Sequence, residues 1–166
     1  MRTLIYKRTH SNDPDPETGV FGNRDCMGQV RAWDFDAVIG IGGVGDEPKR
    51  HGIAGRLTWI GIGPQKFFDD PDSRGPQLVF RHFRYFGEHG PLLVNKYPAL
   101  ARHMYETHRR LMIHLSPSEA GPGLDRDVVA ILRLAKDSLP SVGPEGRDAR
   151  TVRKRCRPHP ARRAAC

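Results

Sequence analysis

Apolar positions in the first ninety residues follow the short period of β-strands. Leu4 to Thr9 is a β-prone run stopped by Ser11-Asn12-Asp13-Pro14-Asp15-Pro16, whose prolines and acids support turns and no ladder. Ala37 to Gly43 is a continuous apolar run, as expected of a strand buried on both faces, and Arg56 to Gly61 alternates polar and apolar residues. Gln77 to Gly87 holds a dense group of aromatic and β-branched residues, closed by Pro91. Between these runs, Gly19 to Asp36 reads as loop with at most one helical turn, and Gly45 to Gly55 as a polar crossing.

The period changes after Tyr97-Pro98. Pro98 suits the first turn of a helix, and Leu100, Met104, Leu111 and Leu115 recur near multiples of 3.6, which predicts a helix ending near Pro117. Asp125 is an N-cap candidate for a second helix, with Val128, Val129, Ile131, Leu132, Leu134 and Ala135 before Pro140. Beyond it, Gly143 to Cys166 offers one strongly apolar residue, Val152, too little to offset ordering entropy, so a disordered tail is predicted. Strands early and helices late predict an α+β fold: a small curved sheet or open barrel with helices at one end. The expected organisation is a globular domain over 1–116, an appended helix over 117–139 and a basic tail over 140–166.

A chain of 166 residues suits one hydrophobic core. The sequence holds no apolar run long enough to span a membrane and opens without a secretory signal, so a cytoplasmic protein is expected. Cys26, Cys156 and Cys166 are odd in number and widely spaced, which argues against a disulfide framework, and neither they nor the eight histidines show metal-ligand spacing. No metal and no cofactor are predicted. The net charge of +8 is concentrated at the C-terminus, where residues 140–166 carry eight Arg and Lys against Glu145 and Asp148. Residues 1–139 are left at +2, so the electrostatic case for nucleic acid lies mainly in the tail.

Gly40-Ile41-Gly42-Gly43-Val44-Gly45 satisfies the G-x-G-x-x-G pattern after a strand, but Asp46-Glu47-Pro48-Lys49 lacks the periodicity of a phosphate-binding helix and brings acids that repel phosphate. A flexible strand-ending turn is the simpler reading, with Gly42 a candidate for the ligand site. Ile60-Gly61-Ile62-Gly63-Pro64 is a second glycine-rich strand end, where a bulge is expected. Trp33, Trp59, Tyr85 and Phe86, with His82, supply the surfaces on which a base could stack, although aromatic residues on strands are more often core. Asp15 and Asp36 belong to an acidic first quarter that suits turns or paired-carboxylate chemistry. Cys26 is a small apolar residue or, with a histidine brought near, a nucleophile.

Taken together, Leu4-Ile5-Tyr6-Lys7-Arg8-Thr9, Asp15-Pro16-Glu17-Thr18-Gly19, the Cys26 segment, Ile39-Gly40-Ile41-Gly42-Gly43 and Arg84-Tyr85-Phe86-Gly87-Glu88-His89-Gly90-Pro91 resemble the second type of nucleotide-modification-associated domain family, over about residues 1–115. The resemblance implies a phage or bacterial protein associated with hypermodified DNA bases. It transfers no catalytic roles.

Two functional classes follow. One is a module binding nucleic acid or a modified nucleotide base, with Trp33, Gly42, Trp59, Tyr85 and Phe86 lining the site and the tail attracting phosphates. The other is an enzyme acting on a DNA base or nucleotide, with Asp15, Cys26, Asp36 and His82 as acid, base or nucleophile. Convergence of those four in one cleft separates the classes. Other DNA-modification proteins are further candidate partners, and a plain interaction protein with a basic tail is the blandest reading.

Overall fold

The computed structural model describes residues 1–8, 14–17, 19–21, 34–67, 77–107, 112–115 and 122–136. Cys26, Trp33 and the tail lie outside the described residues. In chain order the elements are β1 (Thr3–Arg8), β2 (Ala37–Gly42), α1 (Asp46–Arg50), β3 (Leu57–Phe67), β4 (Gln77–Tyr85), a 3-10 turn (Gly87–His89), α2 (Leu93–Lys96), α3 (Pro98–Glu106), β5 (Met112–Leu115) and α4 (Pro122–Lys136). The strands form one open five-stranded sheet in the order β4-β3-β2-β1-β5, which makes the fold α+β.

β1 and β2 run parallel, with Thr3 opposite Ala37 and Arg8 opposite Gly42, and every other neighbouring pair is antiparallel. A parallel pair needs a crossover, which residues 9–36 provide. Both strands are buried along their whole length, β2 as its unbroken apolar run requires, and β1 with Lys7 and Arg8 buried beside its apolar residues.

The two sheet faces have different chemistry. Ile5, Ile39, Ile41 and Ile60 face α2, α3 and α4, which bury Leu93, Leu100, Met104, Val128, Ile131 and Leu132 against them. Leu4, Tyr6, Val38, Trp59, Leu78 and Phe80 form the second face, with Phe21 from the crossover packed among them. Phe21 is held by a two-way backbone bridge to Leu78, at 2.8 Å in each direction. Helices therefore cover a face of the sheet, not one end as expected, because an amphipathic stripe buries most area against a flat apolar face. The helix read as appended shares this core: Leu124, Val128, Ile131, Leu132 and Ala135 sit in the same cluster as the sheet.

Three elements depart from the sequence reading. The helix opened by Pro98 stops at Glu106, where the Thr107 hydroxyl donates back to the His103 carbonyl at 2.6 Å, and Met112–Leu115 becomes an edge strand against β1. The spacing of four between Leu111 and Leu115 fits a period of 2 as well as one of 3.6, and the open edge of β1 selects the strand. The polar crossing after Gly45 contains one helical turn, α1, anchored by buried Pro48.

β3 also runs past its expected end at Gly61 to Phe67. Gly61 lies inside the strand and has to be glycine, because a Cβ there would stand 2.4 Å from the Phe80 ring. Pro64 is tolerated because pairing with β2 reaches only to Ile62, so beyond it β3 has no ladder on that side. The bulge falls earlier, where Gly40 and Ile41 pair with Trp59 and Leu57 and leave Thr58 unmatched.

Candidate functional site

The register carries one row of residues across four strands: Tyr6, Gly40, Trp59 and Tyr85. Trp59 lies over Gly40, where a Cβ would approach Nε1 to 2.0 Å, and it packs against Phe21 and Phe80 with ring centroids 5.4 and 5.5 Å away. The indole is fully enclosed, and Nε1 has no hydrogen-bond partner. Trp59 is thus a core residue of the aromatic face, and its rings offer no open surface on which a base could stack.

Tyr85, at the end of this row, remains half-buried. Arg8 meets it: the guanidinium lies 5.3 Å from the Tyr85 ring centroid, and Nη1 donates to the phenol oxygen at 3.2 Å. Arg8 is itself only 1% exposed. Its place follows from strand alternation, since Leu4, Tyr6 and Arg8 share one face, and a cation in the phase of two core residues was the signal in the sequence. Gly87, with φ of +57°, turns the chain directly after this strand and brings its backbone against the Tyr85 ring.

Phe86 points to the other side. It packs against the helix-covered cluster, with the Arg84 guanidinium 5.1 Å from its ring centroid and Arg84 Nη1 donating to the Leu134 carbonyl at 2.9 Å. Gly42 is occupied by the protein's own chain: a Cβ there would meet the Ile53 carbonyl oxygen at 1.7 Å, and its N–H and C=O pair with Arg56 and Gly55. Residues 53–56 therefore fill the space at this glycine that a ligand would need.

The acid, base and nucleophile candidates occupy separate places. Asp15 holds its own turn, with Oδ1 accepting the Glu17 N–H at 2.9 Å and its carbonyl accepting that of Gly19. Asp36 lies at the start of β2, where Oδ2 accepts the Arg2 backbone N–H at 2.6 Å. His82 pairs with Ile62 and so shares the face that packs on the helices, with Nδ1 buried and unbonded. Cys26 and Trp33 lie outside the described residues. The described residues do not bring Asp15, Asp36 and His82 into one cleft.

One end of the sheet gathers what the sequence reading left aside. β1, β2 and β4 finish there and β3 begins, so Arg8, Gly42, Arg56 and Tyr85 are close in the fold. Beside Arg56, the segment from His89 to Leu92 and the helix α2 enclose a depression of about 410 Å³ that also takes in Asn95 and Lys96. Arg56 Nη1 donates to the Gly90 carbonyl at 2.9 Å. Gly90 must be glycine, because a Cβ would collide with the Leu57 carbonyl at 1.6 Å.

Among the described residues, no group of three or more His, Cys, Asp and Glu is placed to hold a metal ion, and no helix is long and apolar enough to cross a membrane. The chain matches none of the family models, curated proteins or solved structures with which it was compared.

Proposed function

We propose that this protein binds nucleic acid or a nucleotide carrying a modified base, and that it acts as a binding module at the end of the sheet where β1, β2 and β4 terminate. The observation that carries the reading is the placement there of Arg8 on the half-buried Tyr85, at the same end of the sheet as the Arg56 depression. The half-buried Tyr85 ring offers an aromatic face for a base, the buried Arg8 fixes that ring, and Arg56 supplies the cation that a phosphate needs. The separation of Asp15, Asp36 and His82 favours binding over acid–base chemistry, which needs its groups within hydrogen-bond reach of one reacting atom. Resemblance to nucleotide-modification-associated domains points to the same class of ligand, in association with DNA-modification proteins.

The test measures binding of the full chain to unmodified and base-modified DNA across a salt series, beside a variant with Arg153, Lys154, Arg155 and Arg157 each changed to Gln and beside Tyr85→Ala. The expected result is a preference for one modified base that survives neutralisation of the tail and is lost in Tyr85→Ala. Binding that ignores base modification and disappears with the tail charges would reduce the protein to an electrostatic DNA binder and overturn the reading.

A further inference from the structure

We infer that the depression between Arg56, His89 and Lys96 is a phosphate-binding subsite, taking a phosphate monoester or diester; the inference rests on the reading of the protein as a nucleotide or nucleic-acid binder. The site is built on fixed backbone. Leu57 N–H donates to the Pro91 carbonyl at 3.0 Å and Leu93 N–H to the Gly55 carbonyl at 2.9 Å, so both sides of the rim are tied together. Gly90 is pressed against the Leu57 carbonyl and turns its own carbonyl to Arg56.

That bond positions the guanidinium and uses one of its five N–H donors, leaving the planar fork available for two oxygens of one phosphate. Lys96 and Asn95 stand on α2 at the other side, both exposed, and add a point charge and an amide. His89 contributes a fourth nitrogen group from the 3-10 turn. Among the described residues, no acidic residue lines the depression. The Glu88 carboxylate lies 3.5 Å from His89 Nε2 in a pair exposed enough to be weak. The depression falls within the size range of small-ligand sites, and its described lining holds Arg56 and Lys96 and no carboxylate.

The experiment is an amide-resolved NMR titration of the full chain, at constant ionic strength, with inorganic phosphate, a nucleoside 5′-monophosphate and a short single-stranded oligonucleotide in separate arms. Saturable movement of the His89, Gly90, Leu92, Asn95 and Lys96 signals with inorganic phosphate is expected. Lys96→Gln should weaken it about fivefold, and His89→Gln with Lys96→Gln further. Both replacements are at exposed side chains, and Arg56 is kept because it holds Gly90. Lys136→Gln, on an exposed lysine of α4, is the control and should leave the titration unchanged.

Shifts that fail to saturate, or that respond equally to Lys136→Gln, would overturn the subsite. Should the oligonucleotide bind without moving these amides, the subsite falls and the nucleic-acid reading stands. Should phosphate saturate the site while neither the nucleotide nor the oligonucleotide competes for it, the subsite stands and the nucleic-acid reading falls. Competition by the monophosphate alone assigns the site to a free nucleotide, and competition by both assigns it to the nucleic-acid backbone as well.

Discussion

Leu100 and Asp127 are 27 residues apart in sequence, yet Asp127 Oδ2 accepts the Leu100 backbone N–H at 3.0 Å and that of Ala99 at 2.8 Å. Helix α3 has no side-chain cap of its own at Tyr97, and Pro98 brings no N–H, so a residue of α4 caps the first turn of α3. The carboxylate is buried, and the positive end of the helix compensates its charge.

Asp127→Ala leaves two amide donors unsatisfied in a buried place. The expected destabilisation is about 1–3 kcal/mol, read by urea denaturation of the full chain. Asp127→Asn keeps an acceptor oxygen and should lose less. A Asp127→Ala midpoint equal to that of the parent protein would show that water replaces the cap without loss.

Tyr97 gives the same junction a dependence on pH. Burial, and secondarily the Asp127 charge, raise its phenol pKa above the ordinary 10.0. The fold therefore holds the proton more tightly than the unfolded chain does. Its contribution to stability is fully present below about pH 10 and is lost as pH rises through the folded-state pKa. Tyr97→Phe should unfold with a shallower pH dependence above pH 10 than the parent. Asp127→Asn should only partly reduce that dependence, since burial is the larger cause. Equal alkaline profiles for parent and Tyr97→Phe would contradict the assignment.

Gly40 and Gly55 separate two reasons for glycine. At Gly40 a methyl group would collide with Trp59 and push it out of the aromatic cluster, so Gly40→Ala should cost about 1–3 kcal/mol or more and change the near-ultraviolet circular dichroism. At Gly55 nothing lies within 4 Å, but φ is +65°, so Gly55→Ala should cost about 1–2 kcal/mol from the backbone alone and leave the aromatic signal intact. An unchanged aromatic signal in Gly40→Ala would mean that Trp59 does not rest on this glycine.

Much of the strand framework was legible because its signals are local. β1, β2 and β4 lie where runs such as Ala37–Gly43 and Gln77–Gly87 placed them, and α4 buries Val128, Ile131, Leu132 and Ala135 as predicted, although it starts at Pro122, three residues before the expected cap Asp125, and leaves Val129 exposed. Met112–Leu115 was misread because four residues cannot distinguish the two periods, and its state depends on the free edge of a strand more than a hundred residues earlier. The site was less legible. Tyr85 could be named as an aromatic in a strand, but its partner Arg8 lies 77 residues away, and Arg56 meets Gly90 only after β3 and β4 have paired. Trp59 carried the same sequence signal as Tyr85, and burial alone separates an enclosed core ring from a half-open one.

The sequence by itself determined an α+β chain with apolar strands and amphipathic helices, since alternation, periodicity and composition act over a few residues. Only the tertiary structure decided which face each aromatic takes, that Gly42 is filled by the Ile53 carbonyl, and that Asp15, Asp36 and His82 stand apart while Arg8 joins Tyr85. These depend on strand order and register. A shift of one residue exchanges the two faces of a strand, and no local pattern records which strand becomes its neighbour.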